Sequence, residues 1–167
     1  MGLPIIKHPT FELTIPSTKQ KIKYRPFLVK EEKILLLAQS SENVMDMINA
    51  IKQIINNCIV EGNINLDLLP SFDIEYMFLR LRANSVNSTS SLTFKDPDDP
   101  EAKPQKIDVD LLTIEVKWPK DIKNKIDLGE GISMSLKYPT YDEIGSINNE
   151  NVAEGTMQYV LIKFIVV

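Results

Sequence analysis

The carboxylates Asp108, Asp110 and Glu115 are the residues in this sequence most easily drawn into acid–base chemistry. Hydrolysis of a glycosidic bond needs two carboxyl groups flanking the scissile bond, one of them with a raised pKa. These three alternate in a strand pattern, and nothing in the sequence marks them as buried or gathers them in a cleft. A carboxylate hydrolase acting on cell wall is therefore the weakest reading, and the chain is expected not to be an enzyme. A second acidic group, "DPDDPE" at 96–101, resembles a divalent-metal loop only in its carboxylate density. It lacks the glycine turn and the distal glutamate of a calcium loop, and its prolines stiffen it, so a solvated turn is the better account.

Imidazole and thiol chemistry have almost no material here. His8 and Cys58 each occur once, and one residue cannot supply several metal ligands or a base with its partner. That excludes a disulfide framework, a Cys/His zinc site and most histidine-based catalysis, and no metal or cofactor is expected. Cys58 falls near the apolar face of a helical segment, where a free cysteine behaves as a small hydrophobe. "GEGI" at 129–132 has neither the spacing nor the strand-to-helix context of a phosphate loop and reads as a tight turn. "KDIKNKID" at 120–127 alternates lysines with acids and lacks flanking aromatics, so a charged turn outweighs a nucleic-acid patch. Arg80 and Arg82 stand near the carboxyl end of a helical segment, where positive charge suits the dipole.

The elements that would position such residues are legible from periodicity. Phe11, Leu13 and Ile15 alternate with polar residues, and alternation resumes over 21–25, which predicts a β-hairpin over 11–25 closed by Pro26. From Lys30 good helix formers with acids in the first turn predict a helix. A second begins after Ser40–Ser41 with Ser41 as N-cap; Val44, Ile48, Ile51, Ile55 and Ile59 hold one face and Gly62 is the stop. A third runs from about Ser71 to Asn84, burying Ile74, Met77, Phe78 and Leu81.

Beyond Asn84 the composition changes. Residues 1–84 carry ten basic and nine acidic side chains, residues 85–167 nine and fourteen. The acidic half is also the β half: 86–95, 106–118, 131–139 and 157–167 are strand-like, with polar or proline-rich loops at 96–105 and 140–155. The expected fold class is α+β: an amino-terminal β-hairpin, a three-helix middle and an acidic, mostly antiparallel β half. The divisions are 1–84 and 85–167, two regions of one compact body or two small units.

With 167 residues, 43% hydrophobic and 25% charged, the chain can support a core without disulfides or metal. Its net charge of −4 lacks the footprint of a general nucleic-acid binder. No apolar run reaches the roughly 18–20 residues of a membrane span, and no secretion signal opens the sequence, so an intracellular protein is expected and the Asn87 sequon is taken as chance. Interface hints are apolar. Met45 and Met47 widen the stripe of the second helix beyond one face, and "YVLIKFIVV" at 159–167 is nearly continuous apolar sequence. Such a strand at a sheet edge would aggregate unless covered, so it is either a central strand of this domain or pairs with another protein. Tyr159, Leu161, Phe164, Val166, Met45 and Met47 are the candidate interface residues.

One segment carries a resemblance. "LPIIKHPTFELTIPST" at 3–18, followed by "YRPFLVKEEKILLLA" at 24–38, resembles the baseplate hub subunits of T4-like contractile-tailed bacteriophages. Members open with a similar proline-rich strand, an Arg-Pro-Phe-Leu step (here 25–28) and a Lys-Glu-Glu helix start (here 30–32). The similarity is clearest over the first 40 residues and extends through "FLRLRANSV" at 78–86. It implies a structural role in the hub of the tail baseplate, docking other hub and tail proteins within a symmetric assembly. The alternative it leaves open is a transient hub-assembly chaperone absent from the mature virion. The implied location is the virion tail, with the host cytoplasm during assembly. The resemblance carries over no catalytic residues, and charge and hydropathy give no expectation of a nucleic-acid or membrane partner.

Overall fold

A computed structural model of the chain describes residues 8–41, 43–94, 103–118, 123–129 and 131–145. Strands β1 (Phe11–Thr14) and β2 (Lys21–Tyr24) form the expected antiparallel hairpin, with Phe11 opposite Tyr24 and Leu13 opposite Ile22. Alternation does its work here: Leu13, Ile15, Ile22 and Tyr24 are buried, while Glu12, Thr14 and Lys21 face out. The loop closes through Ile15 N–H to the Gln20 carbonyl, with Lys19 in the left-handed region at φ 59°.

Three helices follow. Helix α1 spans Val29–Ser40, α2 Val44–Cys58 and α3 Ser71–Ser85. The cap of α2 is Asn43, whose side chain accepts the Met45 N–H at 2.9 Å, and not Ser41. Ser41 instead closes α1, its backbone N–H donating to Ala38, and its hydroxyl accepts the Asn43 N–H. The buried face of α2 is Ala50, Ile54, Ile55 and Cys58, rotated from the predicted stripe, and Val44 is 73% exposed. Helix α3 follows expectation, with Ile74, Met77 and Leu81 buried and Phe78 packed against them.

Helix α2 also ends earlier than its apolar period suggests. The β-branched pair Ile59–Val60 leaves the helix directly into β3 (Ile59–Glu61), which pairs antiparallel with β2 to complete a β1-β2-β3 sheet. Gly62 therefore terminates a strand, at φ +106°. A Cβ there would lie 2.8 Å from Ile22 Cγ2. The core joins this sheet to α2 and α3 through Leu13, Ile15, Ile22, Tyr24, Ile54, Ile55, Cys58, Leu66, Leu69, Ile74, Met77 and Leu81. The void among the sheet and helix side chains is about 10 Å³, at the lower limit for one water, so packing is close.

The second half adds antiparallel hairpins. Strands β4 (Thr89–Phe94) and β5 (Gln105–Asp110) pair in full register, Leu92 opposite Ile107. The long strand expected over 106–118 stops at Asp110, whose carboxylate caps a 3₁₀ turn at Leu111–Thr113 by accepting the Leu112 N–H. Strand β6 (Lys125–Gly129) occupies part of the stretch read as a charged turn and pairs with β7 (Ile132–Ser135). Gly129 and Gly131, both at positive φ, make the tight turn between them as expected. A short helix α4 (Tyr141–Gly145) lies in what reads as polar loop. The class is α+β, with antiparallel pairing throughout the described strands.

Candidate docking surfaces

The Arg-Pro-Phe-Leu step is a four-way clasp. The Arg25 backbone N–H donates to the Cys58 carbonyl, and its guanidinium to the Asn57 and Pro26 carbonyls and to Glu31 Oε1 at 2.9 Å. Glu31, fully buried, also accepts the Leu28 N–H at 2.9 Å, the acidic half of a capping box at the start of α1. Phe27 N–H donates to Ser85 Oγ at the end of α3. Strand β2 and all three helices thus meet at residues 25–31. Burial pushes the Glu31 carboxyl up, but the Arg25 and Leu28 hydrogen bonds and the charges of Arg25 and Lys30 outweigh it and hold the group below its ordinary value.

A second buried carboxylate, Asp73, accepts the Ser17 N–H at 3.1 Å and the Ser17 hydroxyl, pinning the β1–β2 loop to α3. Burial raises its pKa, only partly offset by Ser17 and Lys19. Lys52, almost buried, bridges Asp67 at 2.8 Å and Asp142 at 3.1 Å and so ties α2 to α4. These groups are spent on holding elements together. Arg80 does likewise: it donates to the Leu112 and Ile114 carbonyls and to Tyr76 Oη, joining α3 to the second half.

The sequence-predicted chemical residues do not converge. Asp108 accepts the Ser91 hydroxyl across β4–β5, Asp110 caps the 3₁₀ turn, and Glu115 is exposed beyond it. His8 is exposed and Cys58 buried, its thiol pushed up to about 11 by that burial. No cluster of three His, Cys, Asp or Glu among the described residues could hold a metal ion. The acidic stretch 96–101 lies outside the described residues, as do Tyr159, Leu161, Phe164 and Val166.

What the structure does present is exposed apolar surface. Helix α1 turns Ile34 and Leu35 to the core and Val29, Leu36 and Leu37 to solvent, the last at 71% exposure. Positions 29 and 36 lie about 20° apart around the helix axis and Leu37 about 100° from Leu36, so the exposed apolar residues cover an arc of about 100°. Met45 and Met47 are both half-buried in the first turn of α2, about 200° apart around the axis by helix geometry, so they widen its apolar surface in different directions. Each second-half hairpin has one apolar face: Leu92, Phe94 and Ile107 on β4–β5, Ile126, Leu128 and Ile132 on β6–β7, all exposed. An aromatic cluster of Phe72, Trp118 and Tyr138, ring centroids 5.1–5.8 Å apart, sits beside Lys19, whose ammonium lies 5.0 Å from the Trp118 ring. Sequence reasoning missed this cluster because its members are scattered along the chain. Among the described residues no helix is long and apolar enough to cross a membrane.

Comparison with known proteins gives these surfaces a context. A family model described as T4 bacteriophage base plate protein matches residues 8–167, so the chain belongs to that family of structural phage baseplate proteins. Membership makes it part of a multi-protein phage assembly in the virion tail. No curated protein and no solved structure matches it significantly.

Proposed function

We propose that this chain is a structural subunit of the baseplate hub that docks neighbouring hub or tail proteins by burying apolar surface. The observation that carries this reading is the combination of a baseplate family with large exposed side chains grouped on helix α1 and on hairpin faces. Exposed apolar groups of this size gain free energy when a neighbour removes them from water, at about 25 cal/mol per Å². The candidate contacts are Met45 and Met47 on α2 and the segment bearing Tyr159, Leu161, Phe164 and Val166, which would add as a strand to a neighbour. Assembly order would follow from burial, each added subunit covering one surface and creating the next.

A protein inventory of purified virions beside defined assembly intermediates tests the reading. A permanent hub subunit appears in both at a fixed ratio to the other hub proteins. Presence in intermediates with absence from virions would overturn it in favour of a transient assembly chaperone. Ending the chain before Tyr159 is expected to block incorporation, and normal incorporation of that truncation would remove the terminal segment from the mechanism.

A further inference from the structure

We propose that, in the free subunit, a groove between α2 and α3 seats the apolar segment 157–167 of the same chain. The groove has a volume of about 210 Å³ and is lined by Ile51, Ile74, Phe78, Leu79 and Tyr141, with Glu75 and Arg82 at its rim. That is smaller than the roughly 300–1,000 Å³ of a small-molecule site, and its lining is almost wholly apolar. It suits one or two large side chains of a polypeptide better than a ligand.

The path of the chain identifies the occupant. Helix α4 reaches the groove through Tyr141, whose hydroxyl donates to Glu75 Oε1 at 2.8 Å, and α4 ends at Gly145. Residues 146–156 are predominantly polar, and 157–167 is the most apolar run that follows. Eleven linking residues reach at most about 40 Å when extended, whereas α3 is only about 22 Å long at 1.5 Å per residue. Every part of the groove is therefore within reach. A tether of this length also holds its segment at an effective concentration of the order of millimolar, so any outside occupant must displace it. Covering the run in this way would also keep a β-prone apolar segment from pairing with other chains before assembly. The inference goes beyond the docking role proposed above because it concerns the isolated subunit.

The test uses the full-length chain. Leu79→Cys is combined in turn with a single cysteine at each of positions 161–166, and each double variant is oxidised mildly at low concentration. Cys58 is buried and does not compete. The expected result is an intramolecular disulfide in monomeric protein for at least one pairing. Disulfides only between chains would give the groove to a second copy and overturn the proposal, as would no disulfide across the scan. Independently, I162D/F164D is expected to speed amide exchange at Ile51 and over 74–82 about tenfold while leaving β1 and β2 unchanged. Unchanged exchange at the groove would overturn the proposal too. Both readouts concern the free subunit, so their failure is distinct from absence of the protein from virions.

Discussion

Arg25 and Glu31, which belong to the segment that carries the family resemblance, serve architecture. Glu31 has no exposed surface, and two of its acceptor positions are filled by Arg25 Nη2 and the Leu28 N–H. Arg25→Ala leaves a buried carboxylate facing one backbone donor and the exposed Lys30, and the backbone carbonyls of Asn57 and Pro26 lose their donor. Breaking a buried ion pair from one side costs roughly 3–5 kcal/mol, so this variant is expected to lower the denaturation midpoint severely, as read by urea melts. A cost below about 1 kcal/mol would show that the clasp is solvated in solution. The two buried carboxylates should also respond oppositely to acid. Glu31 has a lowered folded-state pKa, so its contribution is complete above the ordinary glutamate range and is lost as pH falls through that range toward the lowered value. Asp73 has a raised one, so acidification favours the folded state through it. Glu31→Gln should therefore make the acid limb of a stability–pH profile shallower and Asp73→Asn should make it steeper; parallel profiles for the two variants would contradict both assignments.

Elements were legible where one residue pattern decided them and obscure where two patterns overlapped. The β1–β2 hairpin and α3 follow from strict alternation and from apolar positions at i, i+3, i+4 and i+7. The end of α2 did not, because Ile59 continues the helical period while being β-branched, and tertiary pairing with Tyr24 on β2 decides in favour of a strand. Strand β6 was hidden by the alternating lysines and acids of 120–127, which mask the alternation of Ile126 and Leu128, and α4 is too short for periodicity to register. The β2–β3 junction gives the prediction at this scale. Gly62 combines a left-handed backbone with a contact that brings any Cβ to 2.8 Å from Ile22 Cγ2. Gly62→Ala should cost about 1–3 kcal/mol from backbone strain and the displaced isoleucine, whereas Gly131→Ala, with open space around the same kind of backbone, should cost only the conformational part. Thermal melts of the two variants compare them directly, and equal losses would mean that the Ile22 contact relaxes freely.

Across the whole molecule, burial is uneven. The close-packed core draws on β1, β2, α2 and α3, while β4 and β5 are almost wholly exposed and β6 is exposed throughout. Two-stranded hairpins are marginal in water without a packed face, so the second half is expected to depend on its tethers to α3: the Arg80 hydrogen bonds, buried Leu111 and the Phe72–Trp118–Tyr138 cluster. None of these tethers was visible in the sequence, because they join residues far apart in the chain, and the same is true of the exposed faces, which depend on which side of each element the core takes. Cys58 turns this unevenness into a measurement. Its thiol is 1% exposed and pushed up to about 11 by burial, so thiol labelling near pH 8 must wait for the core to open. Opening free energies of several kcal/mol should slow labelling by roughly a thousandfold or more relative to the denatured chain. If the second half opens on its own, amides of β6–β7 will exchange orders of magnitude faster than this labelling reports, and urea will accelerate Cys58 labelling more steeply than hairpin exchange, because core opening exposes more surface. Matching rates and matching urea slopes would instead show one cooperative unit, in which the exposed apolar hairpin faces are presented to a neighbour on a body that opens only as a whole.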